Sequence, residues 1–460
     1  MAHVSSSNTN AARAKRAARS LLALFAIAVG PLTFHARAFA ADAPSDVAES
    51  GPLEIHGQIT YIEQETNDFN APYSGPHSLI TSQGRETVDA TLFLGVRLWH
   101  DAEAWVNPEV DQGFGLSDTL GVAGFPSGEA YKVGSNQPYF RLQRAFIRQT
   151  VDAGGEEETV KSAANQLSGS RTLDRWVFTV GKFSVTDVFD TNQYAHDSRN
   201  DFLNWAAIDA GTFDYAADSW GFSEGAAAER YLGSWTFRAG LFELSKVPNG
   251  EVLDHSFDEF QVDAEIERRY TLLGQTGRLL FTAFDSRGRM GLYDRAIALT
   301  AATGTAPSTA AVRTYRSRLG ASLDLEQPLS DDVGIFGRLG KSPGDVEVYE
   351  FADIDRSIEM GTSIRGSEWK RPNDTFGLAV LDNRVSGEFE EYLNLGGLGI
   401  LVGDGKLPRP GNEQILETYY SLAPLWWARI SLDYQWIKNP AYNTERGPVS
   451  TWALRWHAQF

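Results

Sequence analysis

Apolar and polar side chains alternate with a period of two at the end of the chain. From Ser450 to Phe460 one row is largely aromatic, with Trp452 and Trp456, and the intervening row is mostly polar, with Arg455 and His457. Because successive side chains of a strand point to opposite faces, this pattern predicts a β-strand with one apolar face. Residues 428–437 alternate in the same way, so the two segments predict an antiparallel pair.

The same alternation recurs along the chain without an internal repeat or a domain boundary. The predicted strands are 53–62, 87–98, 102–111, 139–151, 176–182, 220–231, 235–244, 261–270, 278–285, 313–324, 333–339, 346–354, 358–365, 376–383 and 413–422, followed by the pair at the end. Polar or glycine-rich segments at 63–85, 113–137 and 154–175 are predicted to be loops. The total is about 16 strands, each able to cross a bilayer at a tilt.

The distribution of aromatic and charged residues distinguishes a membrane barrel from a soluble sandwich. Several apolar rows begin or end in an aromatic residue: Trp176, Trp235, Tyr315, Phe376, Trp436 and Trp452. This placement is typical of the aromatic girdles at membrane interfaces. The opposite rows combine Arg, Asp and Glu, which a soluble core would not tolerate. We therefore predict an all-β protein, a transmembrane antiparallel β-barrel, in which Arg429, Asp433, Gln435, Arg455 and His457 form lumen wall.

The N-terminal residues predict export. Four basic residues between Arg13 and Arg19 precede the apolar run Leu21–Phe34, and Ala38-Phe39-Ala40 supplies a small-x-small cleavage pattern. This is the organisation of a secretory signal peptide. We predict a cleaved signal peptide at 1–40, a short periplasmic lead-in at 41–51 and an outer-membrane barrel of a Gram-negative bacterium at 52–460.

Composition excludes several classes of function. The net charge is −19, and removing the five basic residues of segment 1–40 leaves about −24, which argues against nucleic acid as a partner. Cysteine is absent, so an exported chain has neither disulfides nor thiolate chemistry. The histidines are scattered without metal-ligand spacing, and no cofactor or metal is predicted.

The segment 176–249 resembles the carbohydrate-selective porin (OprB) family. Further similar pieces are GVAGFPSGEAYKVG at 121–134, Glu417-Thr418-Tyr419-Tyr420, and DYQWIKNPAYNTERGPV at 433–449. The resemblance implies a 16-stranded barrel for diffusion of small, glucose-like sugars into the periplasm, with long extracellular loops partly folded into the pore. It implies no catalytic residues, so the chain is not expected to be an enzyme. The implied partners are small carbohydrates, outer-membrane lipid and lipopolysaccharide, and the barrel-assembly machinery through the strand ending in Phe460.

One polar stretch between strands has the chemistry that sugars need, namely hydrogen-bonding groups beside an aromatic face. Its candidates are Asp190, Asn192, His196, Asp197, Arg199, Asn200, Asp201, Asn204 and Trp205, which would line a constriction on an infolded loop. The alternative is that these residues cap turns and bond one another. Inward candidates on strands are Arg97, Glu103, Asn107, Glu109 and Arg238.

Other functions stay open as alternatives. Inward arginines would suit a general or anion-preferring porin. Ser223 lies in a G-x-S-x-G match, and His196 adjoins Asp197, so a barrel enzyme is a less favoured hypothesis. The aspartates of 187–201 could hold Ca²⁺ through oxygen ligands, although they lack the spacing of a known calcium loop.

Overall fold

Sixteen antiparallel strands close into a barrel in the computed structural model, which describes residues 51–460. The predicted signal peptide, and the lead-in apart from Gly51, lie outside the described residues. The strands are β1 Leu53–Thr66, β2 Gly84–Trp99, β3 Ala102–Gly113, β4 Ser135–Val160, β5 Gly169–Phe183, β6 Ser223–Leu232, β7 Trp235–Glu243, β8 Phe260–Leu272, β9 Gln275–Met290, β10 Thr314–Pro328, β11 Val333–Lys341, β12 Arg356–Gly366, β13 Arg371–Arg384, β14 Glu413–Leu425, β15 Ala428–Lys438 and β16 Val449–Gln459.

Each strand pairs with its neighbours in the sequence, and β1 pairs with β16 to close the sheet. In this closing register Tyr61 lies opposite Trp456 and Thr60 opposite His457. Closure leaves no free sheet edge, as the hydrocarbon core of a membrane requires of a spanning sheet. The predicted fold class and the predicted final strand pair are therefore confirmed.

The two rows of β16 face opposite environments, as their alternation predicts. Trp452 and Trp456 are 45% and 48% exposed on the outer face, whereas Arg455 and His457 are 0% and 3% exposed on the inner face. An outward row of large apolar side chains is suited to lipid, because lipid tails solvate them in place of water.

One predicted strand, 346–354, is wrong. This segment belongs to the loop 342–355, and Tyr349 and Ile354 are buried inside the barrel. The backbone N–H groups of Tyr349, Glu350 and Phe351 donate to the Asp214 carboxylate rather than to a neighbouring strand. A carboxylate has replaced the ladder, so the apolar run has the composition of a strand without its pairing.

The predicted loop 154–175 is also wrong. β4 and β5 continue as a paired hairpin until Val160 meets Gly169, and only residues 161–168, here called the lower turn, connect them. Most residues of the β4 extension are exposed. Because both faces of this extension contact water, it carries no apolar row that could mark it as a strand.

The two ends of the barrel differ. Short connections such as 233–234, 273–274 and 426–427 lie at the end that also contains Leu53 and Phe460; we call this the short-turn end. Long loops lie at the other, long-loop end, and they contain three helices: α1 Trp205–Ile208, α2 Tyr293–Thr303 and α3 Gly387–Asn394. Among residues 51–460, no helix has the length and hydropathy needed to cross a membrane.

The outward row predicts a depth-dependent response to charge. Leu432, 54% exposed near the middle of β15, replaced by Arg should destabilise the folded barrel by about 2–4 kcal/mol, because a guanidinium at the bilayer midplane loses its hydration. The matched control is Trp426→Arg at the short-turn end, which should cost at most about 1 kcal/mol. Urea unfolding in lipid vesicles measures both; equal costs would contradict the assignment of the lipid-facing row.

Candidate functional site

The longest loop between two strands, residues 184–222, enters the barrel; we call it the inner loop. Its aromatic side chains pack on inward-facing rings of the strands. Phe202 lies 5.5 Å from Phe336 and 5.0 Å from Tyr419 between ring centroids, and Phe189 lies 6.2 Å from Phe242. The hydrophobic core of this barrel is therefore built inside the lumen, partly from a loop.

Arg338 on β11 binds the inner loop through its backbone. The guanidinium donates to the carbonyl oxygens of Ala195 at 2.7 Å and Ala207 at 2.9 Å. It also lies 3.2 Å from Asp324 and 3.3 Å from Glu359, and all these groups are buried. A single strand arginine thus satisfies carbonyls from both limbs of the loop while staying paired with carboxylates.

Other inward side chains bind the same loop. The Glu417 carboxylate accepts from the N–H of Leu203 and, at 3.0 Å, of Asn204. Arg455 donates to the carbonyl oxygens of Ser198 and, at 2.8 Å, of Asp201. These charged groups replace the water that the loop backbone would otherwise need.

The predicted lumen wall is corrected by these contacts. Asp433, Gln435, Arg455 and His457 point inward as expected, but all four are buried beneath the inner loop or against neighbouring strands. They are not solvated, because an infolded loop occupies the lumen at their level. Arg429, nearer the short-turn end, keeps an intermediate exposure.

Trp205 and Asn204 have structural contacts that the sequence did not predict. The Trp205 ring is stacked on Phe125 with centroids 5.2 Å apart, contacts Phe351 at 5.4 Å, and is 5% exposed, so it offers no open face to a sugar. Asn204 caps α1 by accepting from the Ala206 N–H and donates to the Gly124 carbonyl.

Within 196–201 the turn-capping alternative describes the geometry. The Asp197 carboxylate accepts from the Arg199 N–H at 2.9 Å and from the Asn200 amide at 2.7 Å. The Asp201 carboxylate accepts from the N–H groups of His196 and Asp197.

The remaining loop candidates and two strand candidates are also satisfied internally. Arg199 pairs with Glu129 at 2.6 Å and approaches Glu109, which accepts from the Tyr131 hydroxyl at 2.8 Å. Asn192 donates to Asp324 at 2.9 Å, and the Asp190 carboxylate accepts from the Ala210 N–H. Asn107 is fully buried on β3.

Three candidates come together elsewhere, around a cavity of about 560 Å³ that we call the chamber. Arg97, Glu103 and Arg238 line it, with the lower turn on one side and residues 187–191 of the inner loop on the other. Strand residues that the sequence analysis did not single out complete the wall: Arg148, Glu229, Tyr231 and Arg278. Their inward position follows from alternation, but their proximity follows only from barrel closure.

The lower turn is tied to the chamber wall by hydrogen bonds. Arg97 donates to the Ser168 carbonyl at 2.7 Å, and Arg148 donates to the Asn165 carbonyl at 2.8 Å. Glu103 accepts from the Leu167 N–H at 2.8 Å and from Arg148 at 2.9 Å. The turn therefore lies across the mouth of the barrel at the short-turn end. A second cavity, of about 220 Å³, is lined by long-loop residues including His77, Asn249 and Arg313.

The geometry does not assemble the rejected chemistries in the part of the chain that the structure describes. The Ser223 hydroxyl donates to the Glu243 carbonyl at 2.6 Å, and the His196 imidazole pairs with Asp209 rather than Asp197. Asp187 pairs with Arg144 while Asp190 lies beside Arg338, so these two aspartates of the proposed calcium loop face different partners.

A closed 16-stranded barrel with short turns at one end and infolded long loops at the other defines an outer-membrane porin. The sequence matches the family model described as "Carbohydrate-selective porin, OprB family" over residues 77–460, and the chain belongs to this family. The members are channels rather than enzymes, and their place is the outer membrane.

Solved structures agree with the fold. A high-pH structure of Pseudomonas putida OprB is 15% identical with a TM-score of 0.68, covering 89% of this chain and 94% of that one. The low-pH structure of the same protein has 12% identity, a TM-score of 0.48 and coverages of 89% and 93%. The outer-membrane channel DcaP of Acinetobacter baumannii has 11% identity, a TM-score of 0.46 and coverages of 89% and 97%. No curated protein sequence matches the chain.

Removing the Arg338 guanidinium should release the inner loop. Arg338→Ala leaves buried carboxylates unpaired, so we expect a loss of about 3–5 kcal/mol in stability and a larger, noisier single-channel conductance. The control is Arg384→Ala, whose half-exposed partner is Asp382, and which should change neither. Unchanged conductance in Arg338→Ala would contradict the anchoring role.

The His196–Asp209 pair predicts a pH response of the inner loop. Burial lowers the pKa of His196, but the hydrogen bond and charge of Asp209 outweigh burial and raise this pKa from 6.5 to about 9. A raised pKa means stability that is complete below pH 6.5 and lost as the pH rises through about 9.

Thermal unfolding between pH 7 and 10 tests this response. The wild-type melting temperature should fall more steeply over this range than that of His196→Gln, which has no such proton to lose. Other groups titrate here as well, so the difference between the two proteins is the measurement. His100→Gln, at an exposed histidine near the short-turn end, should follow the wild type; parallel curves for all three proteins would refute the assignment.

Proposed function

We propose that this porin conducts small neutral sugars of glucose-like size passively towards the periplasm, and that the chamber is where they bind weakly. The observation that carries the proposal is the wall of the chamber, where guanidinium donors and carboxylate acceptors alternate around about 560 Å³. This volume lies within the range of about 300–1,000 Å³ that is typical of small-molecule sites.

Charge pairing in the chamber favours a neutral solute over an anion. Of its five arginines, Arg148, Arg171, Arg238 and Arg278 lie in ion pairs, with Glu103, Glu158, Glu265 and Glu326 among their partners. Paired groups keep spare N–H and oxygen positions for hydroxyls, but they present little net charge. This argues against the anion-preferring alternative.

Weak binding is what a diffusion pore requires, because a solute held tightly does not leave. Arg97, Glu103 and Arg238 are the predicted residues that we retain for contact with the sugar, together with Arg148 and Tyr231. The buried candidates of the inner loop instead set the pore's width by holding that loop in place.

Orientation and partners follow by analogy with outer-membrane barrels. Short turns are typical of the periplasmic side, so the chamber would open to the periplasm and the long loops to the exterior. The lead-in and signal peptide, contacts with lipopolysaccharide, and delivery by the barrel-assembly machinery through Phe460 belong to the same proposal.

Liposome swelling tests the solute class. Proteoliposomes should admit glucose faster than gluconate, which is similar in size but negatively charged, and reversal potentials should show little preference for anions. Faster gluconate entry together with anion selectivity would favour the alternative porin function. An unmodified barrel that passes no sugar would overturn the proposal.

Arg97 tests the binding position. Arg97→Gln removes a charged donor, whose hydrogen bond contributes about 1.5 kcal/mol, so sugar block of the single-channel current should weaken about tenfold. Arg85→Gln on the same strand, at the long-loop end, is the matched control and should keep wild-type block. Identical block constants in all three proteins would remove Arg97 from the site.

A further inference from the structure

A second cluster of ionisable groups lies away from the pore, at the long-loop end of β6 and β7. It consists of Glu224, Glu243 and His255, whose candidate ligand atoms all lie within 4.8 Å of one another. Glu243 ends β7 in the same row as the outward-facing Trp235, Phe237 and Leu241. The cluster is therefore on the outer rim rather than in the lumen.

Glu243 has an unusual environment for a carboxylate. Its side chain is only 4% exposed, yet among the described residues its carboxylate accepts a hydrogen bond only from His255. The nearest lysine in the strand register, Lys182 opposite Glu224, gives its ammonium to Asp218 at 3.0 Å instead. Two carboxylates thus converge on one imidazole without a lysine or arginine between them.

We propose that Glu224, Glu243 and His255 bind a divalent transition metal, with Zn²⁺ as the best match. One imidazole nitrogen and two carboxylate oxygens are zinc ligands, whereas Ca²⁺ and Mg²⁺ favour oxygen alone. Tetrahedral bonds of about 2.0–2.1 Å place neighbouring ligand atoms about 3.3 Å apart. The His255 Nδ1 lies 2.9 Å from a Glu243 oxygen and 3.6 Å from a Glu224 oxygen, which brackets that spacing.

The site has both an entry path and a structural consequence. The side chains of Glu224 and His255 are 46% and 63% exposed, so an ion can reach the cluster from outside and keep water as its fourth ligand. Because His255 lies in the loop 244–259, the metal would cross-link that loop to the ends of β6 and β7. Binding to the folded state alone would raise the stability of this rim.

The competing arrangement is an ion pair between protonated His255 and the two carboxylates, with no metal. The two arrangements differ in what they bind. A metal site takes up Zn²⁺ and releases protons, whereas a simple ion pair does not discriminate between Zn²⁺ and Ca²⁺.

Calorimetric titration of ZnCl₂ into the full-length barrel, refolded in detergent after chelator treatment, decides between them. We expect one equivalent to bind, and His255→Gln and Glu243→Gln each to weaken binding at least about tenfold, since even loss of an outer partner costs that much. His100→Gln is the matched control, because His100 contacts only Asp101 at the opposite end, and it should bind as the wild type does. CaCl₂ and MgCl₂ should bind more weakly than ZnCl₂.

The proposal fails if Zn²⁺ binding is equal in wild type and His255→Gln, or if CaCl₂ binds as tightly as ZnCl₂. Heat-modifiable migration on gels identifies variants that do not fold. Should both variants fail to fold, CoCl₂ added to the wild-type protein gives a second measurement. Intense visible absorption from tetrahedral Co²⁺ supports the site, and its absence overturns it.

Discussion

Burial of an irregular loop inside a barrel is the constraint on which the rest of this structure depends. Every N–H and C=O of such a loop must find a partner, because neither water nor a neighbouring strand is available. Here charged strand side chains supply those partners. Glu413, for example, accepts from the N–H groups of Ala123, Gly124 and Ala441. The inward charged rows serve first to hold loops, and only where the loops end do they line a passage.

Holding a loop with buried charge is stable only when the charges also balance one another. Arg338 lies among Asp190, Asp324 and Glu359, so a cation that binds carbonyl oxygens is itself neutralised. Pairing of this kind repays desolvation only when the geometry is complete, and loss of one member leaves the others unpaired. The inner loop is therefore fixed in one position, as a constriction of constant width requires.

Much of the barrel could be predicted because lipid imposes a strict period of two on each strand. β16 follows this rule throughout, with Trp452 and Trp456 outside and Arg455 and His457 inside. Prediction failed where that constraint is absent: the β4 extension has water on both faces, and 346–354 is buried on both. Trp205 shows the limit for the site, since only the tertiary neighbours Phe125 and Phe351 decide whether its ring is a sugar platform or core.

The same limit explains why strand residues, rather than the polar loop, form the chamber. Arg97 meets the lower turn through Ser168, 71 positions away, and Arg278 meets the inner loop at the Thr191 carbonyl. Alternation predicts that such arginines point inward, but not which of them a loop will cover. Arg338 and Arg278 lie on strands of the same barrel, and one is fully buried while the other still lines the chamber. The path of the loops, and not residue type, separates the anchors from the passage.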